Sequence, residues 1–151
     1  MEETALNQPK TVISVGVATP RPDPDTEARL RRLVERFYEI GRQHPVLGPL
    51  FEAAITDWDE HITVVADFWS RSLLGTDRYR GNVFSSHMRL PVEPVHFDLW
   101  LTVFRQAAAE TLTPMLAEQA IAKAVHMTHS ISVGLFPYRD AEGKPTRKPP
   151  F

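Results

Sequence analysis

Residues 57–91 read "DWDEHITVVADFWSRSLLGTDRYRGNVFSSHMRLP", and the stretch changes character halfway along. Its first half has a helical period. Thr56 or Asp57 can cap the start, with Asp59 or Glu60 placed to reach back to the cap's backbone. From His61 one face carries Val64, Val65 and Phe68, with Trp69 beside them, the i, i+3, i+4, i+7 spacing of a buried stripe. Gly75 ends it. The second half has no period: Gly75, Gly81, Asn82 and Pro91 mark a loop with at most a short helical turn around Ser85 to Leu90. One imidazole, His61, therefore begins an apolar face, and another, His87, follows in a segment with no stripe to bury.

The flanks complete an all-α reading. Upstream, Asp23 is the expected N-cap with Pro24 at the first helical position, and Leu30, Leu33, Val34, Phe37 and Tyr38 form the inward face of a helix that stops by Gly41 and His44-Pro45. Downstream, a helix from Pro94 faces inward with Phe97, Trp100, Leu101, Phe104 and Ala108. A last one, capped by Thr113 with Pro114 behind it, runs through Leu116, Ala120, Ala124, Thr128 and Ile131 toward Gly134. Strand signals are nearly absent, the best being Thr11 to Val17. Prolines crowd both ends, so residues 1–22 are expected to be an irregular N-terminal extension, 23–136 the folded domain, and 137–151 an irregular C-terminal tail.

Composition narrows the function classes. The 151 residues suit one domain with a single core, and 17 basic residues nearly balance 19 acidic ones. No basic field is available to attract nucleic acid or a membrane surface. With no cysteine, thiolate metal sites, cysteine nucleophiles and covalent haem attachment are excluded, which leaves histidine and carboxylate as metal ligands. No stretch approaches the length that spans a bilayer. The expectation is a cytoplasmic protein with neither nucleic-acid nor membrane partners.

Several groupings could carry chemistry. Glu93 and His96 have the spacing of one half of a di-iron site, but no second such pair exists, so polar decoration of a helix start is the better reading. His126 and His129 share a helix face without a third ligand and read as a solvated pair. Asp57, Asp59 and Glu60 complement a helix dipole. Tyr38, His61, His87 and Trp100 are different. Together they put two imidazoles, a phenol and an indole on or beside apolar faces, in a body otherwise lined by Phe37, Phe51, Phe68, Phe97 and Phe104. So many polar tips in a small core require something polar to bind inside it.

The segments "FYEIGRQHPVLGPLF", the 57–91 stretch and "HFDLWLTVFRQAAAETL" closely resemble the truncated haemoglobins of group III, over about residues 27 to 136. The resemblance implies a two-over-two helical sandwich around a haem, here haem b. By the same resemblance His87 is the proximal iron ligand, and Tyr38, His61 and Trp100 are the distal residues that stabilise a bound ligand. Phe51 matches the phenylalanine wedged against the macrocycle; Val65, Phe68 and Phe97 match other haem-lining positions. Arg78 and Tyr79 are expected partners of the haem propionates, with Arg80 or Arg89 as substitutes.

Proximal imidazole on haem leaves one iron position open for O2, NO, CO or peroxide. Phenol and indole donors aimed at that position imply slow O2 release. That favours sensing, or nitric oxide or peroxide chemistry supported by a reductase, over transport. His61 could swing toward the ligand, point to solvent or bind the iron itself. The alternative is a cofactor-free globin-like module that binds an apolar ligand.

Overall fold

The computed structural model describes residues 23–149. Six helices are present among them: α1 Pro24–Gly41, α2 Leu47–Ala54, α3 Trp58–Leu74, α4 Val83–Met88, α5 Pro94–Thr111 and α6 Pro114–Leu135. Three of the four long helices start on a side chain that satisfies their first free N–H groups. The Asp23 carboxylate accepts from the amides of Asp25 and Thr26, Asp57 from Glu60 at 3.1 Å, and the Thr113 hydroxyl from Leu116 at 3.3 Å. Gly75 ends α3 at φ 75°, a left-handed conformation that favours glycine.

The long helices pack as two pairs. α1 lies on α3 and α5 on α6, and α1 also packs across α5, which joins the pairs. An all-α, two-over-two sandwich is the result. Its centre is an aromatic stack: the Phe104 ring lies 5.1 Å from Trp100 at 9° and 4.9 Å from Trp69 at 27°, with Phe37 closing a third side at 6.3 Å. Such offset-stacked and tilted pairs add to the burial of the rings. Ala107, Ala108, Ala120 and Ala124 are all fully enclosed, so small side chains bring α5 and α6 close together.

The buried polar groups are partnered. The Ser70 hydroxyl donates to Glu27 at 2.9 Å and shares a hydrogen bond with Thr76 at 2.7 Å, and Thr128 donates to the Val125 carbonyl. No helix among the described residues is long and apolar enough to cross a membrane.

Two departures from expectation matter for the site. Helix α2 was not anticipated; it carries Leu47, Leu50 and Phe51 across one end of the sandwich. The tail is also not irregular throughout. Tyr138–Arg139 (β1) pairs antiparallel with Pro145–Thr146 (β2), because Asp140 accepts from the amides of Glu142 and Lys144 and Gly143 adopts φ 82° in the turn. The Thr11 to Val17 strand and the 1–22 extension lie outside the described residues.

Candidate haem-type cofactor site

A cavity of about 400 Å³ opens between the end of α1, helix α2, the start of α3, helix α4 and the first half of α5. Six of the residues singled out from the sequence line it: Tyr38, Phe51, His61, His87, Phe97 and Trp100. Each is set by its helix. Tyr38 is the last large residue of the α1 stripe and is 8% exposed. His61 sits in the first turn of α3, at the mouth. Trp100 is held by its stack on Phe104, and Phe97 lies one turn earlier on the same face of α5.

The two sides of the cavity differ in chemistry. On one side the Tyr38 hydroxyl and His61 Nε2 are 2.7 Å apart and share a hydrogen bond. Burial raises the Tyr38 pKa, so the phenol keeps its proton across the neutral range. Burial, and after it the charge of the facing His87, lowers that of His61, which favours the neutral imidazole. A neutral phenol beside a neutral imidazole can pass a donor to whatever enters. Trp58 closes this side, 5.2 Å from Tyr38 and 6.1 Å from His61, under the Arg42 guanidinium at 4.0 Å.

On the other side stands His87, the sole imidazole of α4. Its Nδ1 is 2.8 Å from the carbonyl oxygen of Val83, one turn back. A carbonyl only accepts, so Nδ1 must donate, and the neutral ring then carries its lone pair on Nε2. A histidine that ligates a metal through one nitrogen and is steadied by a hydrogen bond from the other has this form.

The fit to haem can be judged from these walls. A flat apolar macrocycle needs apolar faces, supplied by Leu47, Leu50, Phe51 and Phe97. Its metal needs one basic nitrogen, supplied by His87, and the volume falls within the range of small-molecule and cofactor pockets. No group of three histidines or acids able to hold a bare metal ion occurs among the described residues. The donor set suits a metal that brings its own equatorial ligands.

Four expected residues are not brought to this cavity. Arg78 is held elsewhere: its guanidinium reaches Glu27 at 2.6 Å and Asp67 at 3.0 Å, and also donates to Ser70. Tyr79 packs edge-on against Phe68 at 5.3 Å, and the two rings border a separate polar depression with Arg71, Arg80 and Lys123. Val65 turns toward the main core, and its neighbour Val64 lines the cavity in its place.

Sequence reasoning also passed over His96, whose Nδ1 accepts from the Glu93 amide at 2.8 Å while its ring borders the cavity. The Glu93 and His96 spacing predicts polar decoration of a helix start, as the amide contact shows, but not a place in the cavity wall. Trp58 carried no signal beyond its place beside the acidic cap. His126 and His129 are both exposed, as a solvated pair should be.

Comparison with known proteins agrees with this architecture. The bacterial-like globin family matches residues 26–132. The chain is 36% identical over 83 residues to the group 3 truncated hemoglobin ctb of Campylobacter jejuni, a match that covers 52% of this chain and 65% of that protein, just under two thirds of its length. The crystal structure of group III truncated hemoglobin from Campylobacter jejuni superposes with a TM-score of 0.66 at 28% identity, over 70% of this chain and 87% of the other. The chain therefore belongs to the bacterial-like globin family.

Proposed function

We propose that this protein binds haem b in the cavity, with His87 Nε2 on the iron, and takes up diatomic ligands on the side of Tyr38, His61 and Trp100. The observation that carries the reading is the His87 Nδ1 to Val83 carbonyl hydrogen bond, which leaves Nε2 basic beside a cavity walled by phenylalanine and leucine. Membership of the globin family supports it. Haem, when bound, supplies an iron with one coordination position open to O2, NO, CO or peroxide.

The chain's own residues then decide how long a ligand stays. Phe51 and Phe97 give apolar walls that exclude water, which strengthens every hydrogen bond made inside. Tyr38, kept protonated by burial, offers its hydroxyl, and Trp100 offers an indole N–H. His61 can take the Tyr38 proton into a hydrogen bond or leave the phenol free to donate inward, since the 2.7 Å contact serves either direction. Two such donors in a dry pocket favour polar O2 over CO and slow its release. Slow release suits sensing, or reaction with nitric oxide or peroxide, better than transport.

Three outcomes test the reading. Purified protein titrated with haemin should bind one equivalent and give a haem absorption band, and His87→Ala should abolish native ferrous spectra; a colourless protein that ignores haemin would instead indicate a cofactor-free module. Tyr38→Phe and Trp100→Phe should each speed O2 dissociation in stopped flow by roughly 5- to 150-fold, the equivalent of about 1–3 kcal/mol per lost donor. Unchanged rates in both would restore a role in transport.

The third concerns pH. His61 titrates at its ordinary 6.5 when unfolded and lower when folded, so the unfolded chain binds more protons in that window. Stability should fall as pH drops through 6.5 and stop falling below the folded value. Urea melts of haem-free protein at pH 7 and pH 5 should show a smaller loss in His61→Gln than in wild type, and equal losses would contradict the burial of this imidazole.

A further inference from the structure

Helix α4 carries His87 yet buries no residue of its own, so its position depends on how it is tied down. The start is tied locally. The Asn82 side chain accepts from the Ser85 amide at 3.1 Å, and the Phe84 ring lies so close to Gly134 of α6 that a Cβ there would collide with it. The other end is tied from far along the chain. Arg147, just past β2, donates to the carbonyl of Met88 at 2.5 Å and to that of Leu90 at 2.6 Å.

Of the two acceptors, the Met88 carbonyl belongs to the last turn of α4 and that of Leu90 to the chain just beyond it. Met88 ends α4, and the carbonyls of a last turn have no partner within the helix; a cation there also complements the negative end of the helix dipole. The planar fork of a guanidinium can serve two carbonyls at once, which a lysine ammonium does less well. The hairpin makes the reach possible. Its turn, held by Asp140 and Gly143, reverses the chain after α6 and returns residue 147 to the end of α4. The strap lies beyond the stretch that the family matches, which ends at residue 132.

We propose that Arg147 is a positioning residue for the proximal imidazole: the C-terminal strap clamps the last turn of α4 and so sets how His87 meets the haem iron. The proposal rests on the reading of His87 as iron ligand. Without the clamp, α4 keeps its Asn82 cap and its Phe84 contact but frays from the His87 end. A fraying helix lets the imidazole tilt and weakens its hold on the metal, as loss of an outer-shell partner commonly does by 10- to 100-fold.

Full-length Arg147→Ala and Arg147→Lys should be compared with wild type and with His87→Ala. In haem-loaded ferrous protein, Arg147→Ala should shift the iron–histidine stretching band in resonance Raman spectra and raise the rate of haem loss to an excess acceptor globin on the order of tenfold. Arg147→Lys should fall between Arg147→Ala and wild type. In the haem-free chain, Arg147→Ala should speed amide hydrogen exchange across residues 86–90 while the melting of the long helices stays unchanged.

An unmoved band and an unchanged haem-loss rate in Arg147→Ala overturn the proposal, whatever the exchange shows. A native band in His87→Ala overturns it too. That second failure belongs to the ligand assignment and is distinguishable, because it occurs with Arg147 in place and leaves the exchange result standing.

Discussion

The hydrogen bond from Nδ1 of His87 to the carbonyl of Val83, 2.8 Å long, ties a side chain to the backbone of its own helix and thereby chooses which ring nitrogen stays basic. Everything around it follows from having to keep that one turn in place. The loop before α4 needs Asn82 as a cap, α6 needs a glycine where the Phe84 ring lies, and α4 itself can be short because its task is to present a ring rather than to bury a stripe. Opposite it, α1 and α3 place a phenol and an imidazole 2.7 Å apart, and α5 places an indole fixed by its stack on Phe104. The aromatic centre of the sandwich therefore serves two ends at once. It holds the helix pairs together and orients the indole that faces the cavity.

Much of this was legible in the sequence wherever a rule of local structure applies. Asp23-Pro24, Asp57, Gly75 and Thr113-Pro114 begin or end helices for reasons of backbone satisfaction that need no tertiary context. The i, i+3, i+4 stripes of α1 and α5 put Tyr38 and Trp100 on inward faces before any packing is known. His87 stood out for the opposite reason, as an imidazole in a segment without a period.

What escaped is what depends on distant partners. Helix α2 has no cap on Val46 itself but is started by the His44 ring, whose Nδ1 accepts from the amides of Val46 and Leu47, and Gly48 and Pro49 fill its first turn, so its eight residues carry little helical signature; Leu47, Leu50 and Phe51 have an apolar surface to cover. Arg78 looked suited to an anionic cofactor edge, yet Glu27 and Asp67 already neutralise it, and Glu27 lies on a different helix. Val64 and Val65 differ by one step of rotation, which a stripe pattern does not resolve. Arg147 was hidden most completely. Its partners are two backbone carbonyls, and nothing in the identities of Met88 and Leu90 announces that their oxygens need a donor.

The most direct test of the account is a crystal structure of the haem-loaded ferrous protein, read for the atom that ligates the iron. The account predicts a bond from His87 Nε2, with Nδ1 still donating to the Val83 carbonyl and with Tyr38, His61 and Trp100 on the opposite face of the macrocycle. Iron bound instead by His61 or His96, or a haem seated outside the cavity between α3, α4 and α5, would contradict it.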